Sequence, residues 1–116
     1  MNQLLEDLKA ARELLVQKGW NQRHIARDAE GKRVDATDPS AVSYCMVGAV
    51  GCIAESTGSR PNQREMDMTR TLRNHMNSNF VISFNDTPGR TFDEVLEVFD
   101  KAINAVSGSK LLHGRT

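Results

Sequence analysis

The groups in this chain able to act as nucleophile, base and orienting acid are few. Cys45 is the candidate nucleophile and His24 the candidate base, with Asp28 or Asp86 as the carboxylate that would orient the imidazole. Such a set requires the thiol to become thiolate, through an adjacent base or a favourable field. On a helix read as starting at Asp38-Pro39, Cys45 lies about seven positions in, whereas the helix dipole acts within the first turn. Its apolar neighbours Tyr44, Met46 and Val47 point to a buried, inert thiol. Cys45 and Cys52 sit roughly 10.5 Å apart along that helix, too far for a disulfide, so both are expected as free thiols in a cytoplasmic protein.

Metal chemistry finds no support in the spacing. His24, His75, His113, Cys45 and Cys52 include none of the short ligand pairs of zinc modules. Asp28-Ala29-Glu30-Gly31 lacks the alternating oxygen ligands and distal glutamate of a calcium loop, and reads as a turn. No metal and no cofactor are expected.

Binding rather than catalysis is the other chemistry on offer. Asn85-Asp86-Thr87-Pro88-Gly89-Arg90-Thr91 is a glycine-containing loop whose arginine enters a helix N-terminus, an arrangement that can hold an anion. Asp93 and Glu94 oppose this with negative charge in the first turn, and Pro88-Gly89 also suits a type II turn. Trp20, beside Asn21 and Gln22, can anchor a partner or seal the end of the first helix. Trp20, Gln22, Asn85, Asp86 and Arg90 are therefore the candidate binding residues.

Those side chains must be positioned by helices. Asn2 can cap a first helix with Leu4, Leu8, Ala11 and Leu15 on one face, stopped at Gly19. The segment from Ile25 to Val34 reads as a β-hairpin turning at Gly31. Asp38-Pro39 reads as the start of a second, nearly all-round apolar helix that includes Gly48, Ala49 and Gly51, small residues that allow close backbone approach. After a break over Thr57-Gly58-Ser59-Arg60-Pro61, Met68, Leu72, His75 and Met76 form the inner stripe of a third helix. Arg60, Arg64, Arg70 and Arg73 make this third segment basic and read as scattered solvated charge. Phe80 to Phe84 suits a short strand or an extended segment plugging the core. Thr91 and Glu94 form a capping box opening a last helix, with Phe92, Val95, Leu96, Phe99 and Ile103 inward and its end before Gly108. The expected fold is mainly α, with a small β component: about four helices around one central apolar helix, a short hairpin and room for one further short strand. Residues 1–106 form one domain and 107–116 a flexible tail whose Leu111-Leu112 pair is free to dock.

Bulk properties bound the function. A chain of 116 residues has room for one core. Fifteen basic and fifteen acidic residues give zero net charge, which argues against generic nucleic-acid binding. The most apolar stretch, Ala41 to Ala54, is shorter than the roughly 20 residues a bilayer span needs, and the N-terminus has no export signal.

Several segments taken together, in order, carry a resemblance: Lys18-Gly19-Trp20-Asn21-Gln22, Ala26-Arg27-Asp28-Ala29-Glu30-Gly31, Cys45-Met46-Val47-Gly48-Ala49, and Asn85-Asp86-Thr87-Pro88-Gly89-Arg90-Thr91 before Val95-Leu96. Over residues 4 to 106 the chain resembles a family of small uncharacterised proteins from bacteria and their phages. Phe84 stands where that resemblance leads one to expect a tryptophan. The resemblance implies a shared fold and a mobile-element context, with no activity attached.

With no convergent catalytic set, the expected function is a small protein-interaction module, in that context an accessory factor that modulates or inhibits a host or defence assembly. The expected partner is another protein, with a homodimer left open. The alternative is a small enzyme or small-ligand binder with one pocket around Cys45, His24, Asp28 and Asp86.

Overall fold

The computed structural model describes residues 2–56 and 60–115, with the backbone alone for 109–115. Helix α1 spans Gln3–Gln17, and the Asn2 side chain accepts from the Leu5 N–H as its cap. Leu5, Leu8, Ala11 and Leu15 form its buried stripe, the i, i+3, i+4 pattern of an amphipathic helix. Three two-residue strands follow: β1 Ala26–Arg27, β2 Arg33–Val34 and β3 Ser43–Tyr44. They form an antiparallel sheet in the order β2-β1-β3, with Ala26 opposite both Val34 and Tyr44. The expected hairpin is present. Its turn is tied by the Asp28 carboxylate, which accepts from the Glu30 and Lys32 N–H groups, and Gly31 closes it at φ +82°, where other residues are strained.

Helix α2, Met46–Ala54, is the central apolar helix and packs against α1, α3 and α4. It does not begin at Asp38-Pro39. Asp38 instead closes a tight turn, its carbonyl accepting from Ala41 N–H and its carboxylate from Ser40 N–H. That turn frees Ser43 and Tyr44 to add β3 to the sheet. The true cap is Cys45, whose Sγ accepts from Gly48 N–H at 3.3 Å. Gly48 is required by packing, because a Cβ there would collide with the backbone carbonyl oxygen of Ile25. Gly51 faces no such wall: a Cβ there would lie in ordinary contact, 3.6 Å from its nearest neighbours.

Helix α3, Gln63–Arg73, is capped by Asn62 and buries Met68 and Leu72. Most of the break read at Thr57 to Pro61 lies outside the described residues. Phe80 to Phe84 is neither a strand nor an extended plug: Val81–Asp86 forms helix α4, with Val81, Phe84 and Asn85 buried. Those three positions are spaced i, i+3, i+4, a helical signature hidden in an aromatic and β-branched run. Helix α5, Phe92–Arg115, opens with the expected capping box, Thr91 N–H donating to Glu94 Oε1 at 2.9 Å and Glu94 N–H to Thr91 Oγ1 at 3.1 Å. It does not stop before Gly108 but runs on to Arg115, since a glycine lowers helix propensity without removing a donor. The side chains of Leu111 and Leu112 lie outside the described residues. The core joins Leu8, Leu15, Met46, Val50, Met68, Leu72, Val95 and Phe99 from four of the helices.

An ion pair fastens three of these elements. The Asp7 carboxylate on α1 is buried, and the Arg64 guanidinium on α3 donates to it at 2.8 and 2.9 Å and to the Ile53 carbonyl of α2 at 3.1 Å. Arg64 is thus not scattered solvated charge. Its hydrogen bonds hold the Asp7 carboxyl below the usual carboxylate range.

Candidate functional site

Helix α4 lies against the segment that enters β1 and against the start of α2, and Asn85 forms the joint. Its side chain is fully buried. Oδ1 accepts from Trp20 Nε1 at 2.7 Å and from the Met46 N–H at 3.0 Å. Nδ2 donates to the Asn21 carbonyl at 3.2 Å and to Asp86 Oδ1 at 2.9 Å. Both donors and both acceptor positions of the amide are filled, which fixes its orientation and leaves no polar atom unpaired. Trp20 also stacks on Phe92 of α5, with ring centroids 5.9 Å apart. Gln22 donates to the carbonyls of Asn85 and Thr87.

Arg90 lies over the Phe84 ring, 3.7 Å from its centroid, and donates from Nε to the Phe84 carbonyl at 2.9 Å. The aromatic at position 84 is thus buried beneath an arginine. Trp20, Gln22, Asn85, Asp86 and Arg90, gathered from the sequence as binding residues, do converge. Most of their polar atoms are occupied with one another, with backbone or with Glu94, holding the loop after α4 to the body of the fold.

Three of the four candidates for acid–base and nucleophilic work also meet. His24, Cys45 and Asp86 line one half-open cavity of about 130 Å³ with Arg23, Arg33 and Ile82. Asp28 is elsewhere, committed to the hairpin turn. The expectation that Cys45 lies deep inside a helix is overturned, because it caps α2 and sits at the positive end of the dipole. Burial nevertheless dominates its chemistry: Cys45 is 4% exposed, and desolvation pushes its thiol up to about 11. No hydrogen bond joins it to His24 among the described residues, and Gly48 N–H occupies its sulfur. A thiol so placed stays protonated at neutral pH and is a poor nucleophile.

A family model described as a family of unknown function, DUF6197, matches residues 1–105. The chain belongs to the DUF6197 family. No curated protein and no solved structure matches it. The matched span of this DUF6197 chain includes α1 to α4, the sheet and the part of α5 that packs on α1, so both the Asn85 joint and the cavity lie within it. Among the described residues no helix is long and apolar enough to cross a membrane.

The residues that sequence reasoning passed over are apolar and exposed. Phe80 is 67% exposed, Ile82 49% and Ile25 36%. Phe80 and Ile82 flank a groove of about 400 Å³ that reaches Val47 of α2, with Glu65 and Arg73 of α3 also lining it. Ile82 then borders the Cys45 cavity as well, where Ile25 joins it, so the groove and the cavity form one surface. The signal available in the sequence was phase: once Val81, Phe84 and Asn85 are placed inward on a helix, Ile82 falls outside the buried stripe, while Phe80 precedes the helix in extended backbone.

Proposed function

We propose that this DUF6197 chain is a protein-interaction module that docks another protein on the outward face of α4 and the adjoining hairpin. The observation that carries the reading is the exposure of Phe80 beside Ile82 over an open groove. Contiguous apolar surface with charged residues alongside is what protein-binding sites present. The fold does not call for these side chains, since Val81, Phe84 and Asn85 already form the buried side of α4. An aromatic and a branched aliphatic side chain in water are therefore better explained by a partner that covers them.

The resemblance of the motif order to small proteins of bacteria and phages supports a mobile-element setting. There the module acts in the cytoplasm as an accessory factor that modulates or inhibits a host or defence assembly. A photo-crosslinking residue at position 80, expressed in the native host, tests this reading against the same residue at position 16, another exposed apolar site on α1. The expected result is a discrete protein adduct from position 80 that is lost with Ile82→Asp and absent from position 16. An adduct of twice the chain's mass identifies a second copy as the partner. Equal adducts from both positions, or none from either, overturn the proposal.

A further inference from the structure

We infer that the half-open cavity between the hairpin and α4 is a binding site for inorganic phosphate. Arg23 and Arg33 both line it. Their guanidinium groups have no hydrogen bond or ion pair among the described residues; the one polar contact of Arg23 is its backbone N–H, which donates to Asp86. His24 lines the same cavity, and its Nδ1 is buried without a hydrogen-bond partner. Such an atom is costly to leave unpaired; Arg27 Nε is the other among the described residues, and a small turn of the His24 ring toward the cavity would let an oxyanion there accept from Nδ1. Two arginines and an imidazole lining one space supply the kind of donor set that tetrahedral oxyanions select. The cavity adds a favourable field, because the N-terminus of α2 opens onto it at Cys45. The thiol adds no repulsion, since burial keeps it neutral.

Size and the one acidic side chain narrow the ligand. At about 130 Å³ the half-open cavity has room for a small tetrahedral ion. Among the described residues Asp86 is the only acidic one lining it. Its Oδ1 accepts from the Arg23 N–H and from Asn85 Nδ2, both at 2.9 Å, and its Oδ2 has no partner among the described residues. Turned to the ligand, that carboxylate oxygen would repel an anion without a proton and accept from one that carries an O–H. Inorganic phosphate keeps at least one O–H at neutral pH and sulfate keeps none, while a phosphomonoester is mostly proton-free above its second pKa of about 6. Asp86 thus acts as a filter in favour of free phosphate. Phe80 lies outside the cavity, and the site adjoins the proposed docking surface through Ile82, which lines both.

Isothermal titration of the full chain at neutral pH with inorganic phosphate, sulfate and methyl phosphate tests the assignment. Phosphate is expected to bind more tightly than either competitor. Arg23→Gln and Arg33→Gln, which alter exposed side chains, are each expected to weaken binding roughly tenfold or more, the effect of losing one charge-assisted hydrogen bond. Asp86→Asn keeps an oxygen to accept from the Arg23 N–H and is expected to abolish the preference for phosphate over sulfate. No phosphate binding by the unaltered chain, or sulfate and methyl phosphate binding as tightly as phosphate, overturns the assignment.

Discussion

The two sides of α4 invert what residue type suggests. Its polar residue Asn85 is fully buried and bonds four partners, Trp20 and Asn21 on one segment, Met46 at the start of α2 and its own neighbour Asp86, whereas Phe80 and Ile82 stand in water. The inner side illustrates how one amide can replace apolar packing where a tryptophan N–H and a helix N-terminus meet and must be satisfied. The outer side has no comparable internal cause. A polar residue in a loop-like motif can thus be architecture, and a plain hydrophobic residue can be the exposed contact, with geometry alone separating them.

The largest effect is expected from Asn85→Ala. It strands the Trp20 and Met46 donors in a buried setting, at about 1–3 kcal/mol for each unsatisfied group, so a loss of about 3 kcal/mol or more in chemical denaturation is expected. Gly48→Ala comes next. It forces a Cβ onto the Ile25 carbonyl and is expected to cost about 3 kcal/mol, while Gly51→Ala, with ordinary contacts, stays within about 1 kcal/mol of the unaltered chain. The pair shows whether the β1–α2 approach, and with it the wall between hairpin and α4, depends on one glycine.

Arg64→Met is expected to cost about 2 kcal/mol at neutral pH by leaving the Asp7 carboxylate buried with only Gln3 as a side-chain partner. The pH profile gives the sign. The folded-state pKa of Asp7 is lowered, so its stabilisation is present above the unfolded value near 3.9 and is lost as pH falls through the folded value. Denaturation midpoints of the unaltered chain should therefore drop more steeply below about pH 4 than those of Arg64→Met. Smallest of all is the expected effect of Cys45 labelling chemistry: native alkylation near neutral pH should be slow and should accelerate only as pH approaches about 11, with fast labelling at pH 7 restoring the nucleophile reading.

The elements legible in the sequence were those whose signals are local. The Asn2 cap, the hairpin turning at Gly31 and the Thr91–Glu94 capping box are each decided within a few residues, and the structure contains all three. Elements decided by distant contacts were not legible. Asp38-Pro39 carries the local marks of a helix start, but Asp38 satisfies its hydrogen bonds in a turn while strand pairing with β1 claims Ser43 and Tyr44. A cysteine cap on α2 has no familiar sequence sign. Phe80 to Phe84 has strand-like composition, and only the contact of Asn85 with Trp20 and Met46 shows which face of the segment must turn inward. The meeting of His24, Cys45 and Asp86 in one cavity was legible as a list of candidates, whereas Arg23 and Arg33 were not, because nothing in their local sequence marks them as unpaired.

The most direct test sets the two sides of α4 against each other in one denaturation experiment, comparing Asn85→Ala with the double change Phe80→Ser and Ile82→Ser. The account predicts a loss of about 3 kcal/mol or more for the first and a change within about 0.5 kcal/mol for the second, as for surface substitutions. A double variant as unstable as Asn85→Ala would contradict it, by showing that Phe80 and Ile82 serve the fold rather than a partner.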